Sequence, residues 1–242
     1  MGSEGFWSNL YSVENNLSHY ALLKNLSSKA ATRQDRQFFS NELKGVTSWL
    51  KTQAYDATTG LFKRGAYGDP VKALDTNSWA ILTIGPASLK KDFGVDVDLL
   101  VSNIEAAFAV QADGSFGQDL LTAKGFDFSD SANASFIGRP GLNWVEGTNQ
   151  MIAVYKKLVS YYSKASTRDS AKAAYYTARA DHFAVQNVHN SISENGAVSY
   201  AYTDQAGEQI FLDNGNSRTA AGPSVASSAW VYFSSYGFNP FS

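Results

Sequence analysis

A fourfold internal repeat constrains this chain more than any other feature. The segments SVENNLSHYALLKNL (12–26), ALDTNSWAILTIG (73–85), NWVEGTNQMIAVYKKL (143–158) and GPSVASSAWVYFSSYG (222–237) share one shape. An acid or small polar residue opens an apolar helix, and an aromatic follows soon after. Glu14, Asp75, Glu146 and Ser224 fall at matching points, roughly 60–80 residues apart, the spacing of two helices plus a loop.

After each of the first three segments comes a more polar helix. The stretch 32–53 places Phe38, Phe39, Leu43, Val46, Trp49 and Leu50 on one stripe, and 95–111 does the same with Leu99, Leu100, Ile104 and Phe108. The third, 166–192, is longer and alanine-rich. Thr32 and Ser166 are the expected N-caps of the first and third. Each polar helix runs into a glycine–aromatic stretch (58–69, 113–119 and 194–215) that reads as short hairpins or irregular loops.

The expected fold is therefore all-α, an array of helical hairpins in a single domain over 1–242, with short β-hairpins in the rim loops. Such units bury their apolar stripes only by stacking side by side. The first helix of each unit, with small residues and aromatics, belongs to an inner ring, and the amphipathic second helix to an outer one. The inner-helix N-termini then gather at one rim, walled by the loops 113–140 and 193–223. Glu14, Asp75 and Glu146 come to that mouth, at the positive ends of helix dipoles.

Composition excludes several functions. A net charge of −2 with no basic cluster offers nucleic acid or a membrane surface no electrostatic footprint, and no apolar run is long enough to span a bilayer. The absence of cysteine removes disulfides, thiolate metal sites and a cysteine nucleophile. His19, His182 and His189 lack metal-ligand spacing, and no phosphate loop, dinucleotide fingerprint or serine elbow occurs, so no metal or cofactor is implied. MGSEGFW shows no leader, though MGS could equally stand in place of one, which leaves an exported origin open. An aromatic fraction of 14% is the unusual value, and such a surplus suits stacking against sugars or other uncharged ligands.

The four repeated segments resemble inner helices of the six-hairpin, (α/α)6-toroid glycosidase superfamily. The resemblance covers most of the chain and speaks for fold more than for substrate. It implies a carbohydrate partner. A full toroid has twelve helices and seven are legible here, so the resemblance also implies a partial ring, with the remainder in the same or another chain.

The same resemblance turns attention to glycosidic cleavage, which uses two carboxyl groups, one protonated and one ionised. Glu146 is the leading acid, with Trp144 two residues before it to desolvate it or to form a sugar platform. Asp75, Glu14 and Asp130 are the other catalytic candidates. The bland readings are a first-turn acid complementing a dipole for Glu146 and an N-cap for Asp75. In GFDFSD, alternation predicts a strand with Asp127 and Ser129 on one face and Phe126 and Phe128 on the other. Asp127 is a substrate-binding candidate, Arg139 one for an acidic sugar, and Trp79, Trp230 and Tyr67 candidates for stacking. Alternatives to a hydrolase are a non-catalytic module binding a glycan or a partner chain, a sugar epimerase and a polysaccharide lyase.

Overall fold

The computed structural model describes residues 11–66, 69, 71–117, 119–192, 198–202, 209–211, 217–219 and 222–242. Tyr67 lies outside them, as do most of 193–223, and nothing is described of the His189 side chain. The chain divides into two compact units, Met1–Asn103 with Pro240–Ser242, and Ile104–Asn239.

In the first unit, the short strand β1 (Tyr11–Ser12) leads into α1 (Val13–Lys29), where Ser12 Oγ accepts the Asn15 amide as N-cap. α2 (Arg33–Trp49) is capped by Thr32, as its sequence predicts, and ends in a wider π-turn at Leu50–Ala54. Strands β2 (Tyr55–Asp56), β3 (Leu61–Phe62) and β4 (Gly65–Ala66) follow, β2 pairing with β3 and β4 with β1, both antiparallel. Then come α3 (Leu74–Thr83) and the brief α4 (Pro86–Ser88), which starts on Pro86 after a left-handed Gly85. α5 (Val97–Phe108) carries the chain across the boundary at Asn103–Ile104.

The second unit continues with β5 (Ala109–Val110) antiparallel to β6 (Gly125–Phe126), and a short helix α6 (Ser131–Phe136). β7 (Asn143–Trp144) leads into the long α7 (Val145–Ser163), then α8 (Ser170–Ser191). β8 (Ala201–Tyr202) pairs with β7, and β9 (Gln209–Phe211) with β10 (Ser217–Thr219). The last helix, α9 (Val225–Tyr236), is closed by left-handed Gly237. All seven helices read from the sequence form, with α4 and α6 added inside loops. Two expected details differ. α8 is capped by Asp169, not Ser166, because the intervening residues turn before the helix begins. Phe126, Asp127, Phe128 and Ser129 are all buried, so the predicted two-faced strand is replaced by a two-residue strand enclosed on both sides.

Burial sets α3 and α7 apart from α2 and α8, whereas α1 and α9, read as inner helices, bury only five and three residues, and α5, read as an outer one, buries six. α2 has no buried residue, and α8 buries only Tyr176, Ala180 and Phe183 among its described side chains. α3 is buried except at Asp75 and Trp79, and the first eleven residues of α7 are buried except at Glu146. An all-round buried helix must satisfy its polar side chains internally. Asn77, fully enclosed, takes the Phe62 amide on Oδ1 at 2.7 Å and donates Nδ2 to the Phe62 and Ala73 carbonyls. Thr148, at the same position of its own helix, takes the Phe126 amide at 2.9 Å and donates to Asn143 Oδ1 at 2.7 Å. Gly125 is obligatory there: a Cβ would lie 2.0 Å from Asn143 Oδ1. These two rim hairpins are thus each bolted to the following inner helix by one buried side chain.

The same helices are tied at their far ends. Lys24, twelfth residue of α1, donates Nζ to the Thr83 and Ile84 carbonyls at the end of α3. Lys156, twelfth residue of α7, does the same to Ser234 and Ser235 at the end of α9. A cation on the last carbonyls complements the helix dipole. Removing a buried bolt strands its partners: Asn77→Ala leaves the buried Phe62 amide and carbonyl unmet and is expected to cost about 2–3 kcal/mol. Thr148→Val, which removes one hydroxyl, is expected to cost about 1–2 kcal/mol in the same denaturant titration.

Candidate active site

The starts of the inner helices are set by backbone stitching. In the first unit the Val13 amide donates to the Arg64 carbonyl at 3.1 Å, and the Arg64 amide to Val71 at 3.1 Å. The lead-ins to α1 and α3 are therefore both hydrogen-bonded to the same residue. In the second unit Tyr200 plays the part of Arg64, accepting from Val145 at 3.2 Å and donating to Gly222 at 2.9 Å. With the far ends joined by Lys24 and Lys156, α1 and α3 run in one direction within their unit, as do α7 and α9 within theirs.

Stitching fixes the register of the repeat. Val13-Glu14, Leu74-Asp75 and Val145-Glu146 are the first two residues of their helices, and the corresponding pair in α9 is Val225-Ala226. Ser224 therefore does not match the three acids. It is the N-cap of α9, level with Ser12, Ala73 and Trp144, and accepts the Ser227 amide. Asp75 is likewise one step inside the helix, two residues past the cap position, and its Oδ1 takes the adjacent Thr76 amide at 2.6 Å.

The three first-turn acids are unlike the others. Glu14 is half-buried and, among the described residues, its carboxylate has no hydrogen-bond or ion-pair partner; burial raises its pKa. Glu146 is also half-buried and accepts a hydrogen bond at 3.3 Å from the enclosed Gln150 one turn on. Such a donor favours the ionised carboxylate. By contrast, desolvation of Asp56 is outweighed by Lys72 at 3.1 Å and the Thr58 amide, which bring its pKa down to about 2.

Asp127 has no exposed surface and is saturated: both Arg139 terminal nitrogens donate to it at 2.7 Å, joined by the Leu142 and Ser129 amides. Arg139 also reaches Ser129 Oγ and the Pro140 carbonyl. This pair clips the base of a loop, and a sealed carboxylate gives ligand no surface to touch. Asp130 accepts the Asn133 amide as N-cap of α6.

Trp144 is buried, with its ring edge-on to Phe128 at 5.1 Å, and among the described residues its Nε1 makes no hydrogen bond. Trp79 is half-buried against Phe241 at 4.7 Å, beside Asp75 on α3. Trp230 is buried against Phe233. The sequence reading missed Gln150, Thr148 and the two lysines, and took Asn77 for a polar companion of the site where it is an enclosed structural bolt. The signal was present: VENNLSHYALLK and VEGTNQMIAVYK share Val, Glu, Ala and Lys at positions one, two, nine and twelve. His182, on the outer α8, lies with Nε2 2.8 Å from the Ala123 carbonyl.

No family model matches the sequence, and no curated protein matches it either. Solved structures do. A D-mannose isomerase superposes with a TM-score of 0.60 at 12% identity, covering 94% of this chain and 55% of that one. A glycosyl hydrolase family 88 protein from Bacteroides vulgatus gives 0.59 at 13%, covering 96% and 63%. A GH8 xylanase mutant from Teredinibacter turnerae in complex with xylohexaose gives 0.51 at 12%, covering 94% and 60%. These likenesses show the fold alone, a helical array of the (α/α)-toroid kind. The chain spans a little over half the length of the structures it matches.

A burial-raised pKa has a definite sign in stability. Because the folded value of Glu14 exceeds the unfolded one, its ionisation opposes folding: the penalty is absent below the unfolded pKa and grows as pH rises through the folded one. Glu14→Gln is therefore expected to melt higher than wild type at pH 7 and at the same temperature at pH 3, read by thermal denaturation at both.

Proposed function

We propose that this chain is a carbohydrate-active enzyme that hydrolyses glycosidic bonds with carboxyl groups at the starts of its inner helices. The observation that carries the reading is selective exposure. In α3 the two residues not buried are Asp75 and Trp79, an acid and an aromatic, and in the first eleven residues of α7 the one not buried is Glu146. A helix that needed these acids for its dipole alone has no reason to pair one with an accessible indole.

Hydrolysis asks for one protonated and one ionised carboxyl. Glu14 suits the first role, since burial without a partner favours the neutral acid. Asp75, on the neighbouring helix of the same unit and accepting a backbone amide, suits the second. Glu146, hydrogen-bonded by Gln150, is the corresponding half-buried first-turn acid of the second unit. Trp79 supplies a face for stacking. The likeness to sugar-processing structures supports the substrate class, and the fold by itself does not choose a reaction.

Two other readings use the same surface. The D-mannose isomerase and a sugar epimerase among the similar structures favour proton transfer on a sugar without chain cleavage. A glycan-binding module would keep the surface and release nothing. Reducing-end release from a panel of plant and microbial glycans, with chromatography of the products, separates the three. Glu14→Gln and Asp75→Asn are each expected to lower hydrolysis about 10²–10⁴-fold with the circular dichroism unchanged. Wild-type turnover in both variants would contradict the proposal, and isomerised monosaccharide without chain cleavage would transfer it to the isomerase reading.

A further inference from the structure

The fourth inner helix does not share the burial of the others. Val13, Leu74 and Val145 open α1, α3 and α7 with no exposed surface, and the eighth residues of those helices, Tyr20, Ile81 and Ile152, are buried. The same two positions of α9 are Val225, 88% exposed, and Tyr232, 58% exposed. α9 buries one stripe, Ser227, Trp230 and Ser234, and on it Ser234 Oγ donates to Asn149 Oδ1 of α7 at 2.8 Å.

The uncovered side is apolar and continuous. Val225, Tyr232 and Tyr236 follow one another at spacings of seven and four, which keeps them on one face. The Tyr232 and Tyr236 rings lie 4.6 Å apart, and Phe238 follows against Phe233 at 5.4 Å. Tyr236 is 75% and Phe238 52% exposed. Three such rings and a valine present roughly 500 Å², in the range of the largest apolar patches on a monomer, which mark contact sites.

Charge is missing as well. From Thr219 to Ser242 the sequence holds no Asp, Glu, Lys, Arg or His, whereas the exposed sides of α2 and α8 carry Arg33, Glu42, Lys44, Lys172 and Asp181. A helix without a charged side belongs in an enclosed place. The same absence limits what encloses it. A different protein is selected by charges that complement its own, and this surface offers none. A twofold contact sets a surface against its own copy, where any charge near the axis would meet its like, so an uncharged stripe suits it. Two copies bury about 1,000 Å² from these side chains, which reaches the size of a specific interface.

We infer that α9 pairs with α9 of a second copy of this chain, antiparallel about a twofold axis near Tyr232, the middle of the stripe. That pairing sets Tyr236 of each copy over the small, exposed Ser228 of the other. It is independent of the carbohydrate reading.

Sedimentation velocity of the full chain between about 1 and 100 µM tests it. Wild type is expected to pass from monomer to dimer over that range, and Tyr232→Glu to stay monomeric, its dimer weakened about 30-fold or more. Tyr232→Lys is expected to behave likewise, and an equimolar mixture of the two variants to recover a dimer, because the axis sets this position beside its own copy. At about 1 µM, where all are monomeric, the variants are expected to match wild type in circular dichroism and melting temperature. Wild type monomeric throughout, Tyr232→Glu as dimeric as wild type, or a mixture no more dimeric than either variant each overturns the inference. A lower melting temperature of Tyr232→Glu at about 1 µM assigns the face to the chain's own core and overturns it too.

Discussion

In each unit, one residue hydrogen-bonded to two helix lead-ins governs the arrangement. Arg64 offers its carbonyl to Val13 and its amide to Val71, and Tyr200 does the same for Val145 and Gly222. A residue that gives its carbonyl to one lead-in and its amide to the other ties the starts of two helices together. The rest of the unit is consistent with that tie: the register that puts a carboxylate second in α1, α3 and α7, the bolts at Asn77 and Thr148, and the lysines closing the far ends of α3 and α9.

The distribution of partners among acids then separates scaffold from chemistry. Asp127, Asp56 and Asp69 are engaged by Arg139, Lys72 and Arg64 at 2.7, 3.1 and 2.8 Å. Those pairs clip loops. Glu105 is similar in kind: burial raises its pKa, and hydrogen bonding by Tyr155 and the charge of Arg179 oppose the rise, inside the α7–α8 packing. Glu14 stands apart, half-buried and without a partner among the described residues. Leaving a carboxylate in that condition costs stability, a cost that the proposed role of Glu14 as the acid would account for.

Much of this was legible in the chain. Periodicity gave all seven principal helices, because inner helices carry small and aromatic residues while outer ones carry a single stripe. The three acids were found by spacing. The register of the fourth repeat was not, since Ser224 resembles an acid in polarity but sits two residues earlier, and only the backbone stitching shows it. Asp127 and Arg139 read as ligand groups from sequence because a loop acid and a loop arginine look solvated there. Their mutual, enclosed pairing depends on Leu142 and Ser129 amides that no pattern announces. Gln150 was hidden for the opposite reason, as a polar residue in a stretch whose period marks it as core.

The central claim is that the half-buried acid and aromatic of α3 face a sugar. A crystal structure of the Glu14→Gln variant soaked with the hexasaccharide bound best by wild type tests this most directly. The account predicts a pyranose ring against the Trp79 indole, with one of its hydroxyls or its glycosidic oxygen within hydrogen-bond distance of Asp75. A sugar bound elsewhere, with the Trp79 and Asp75 surfaces unoccupied, would contradict it.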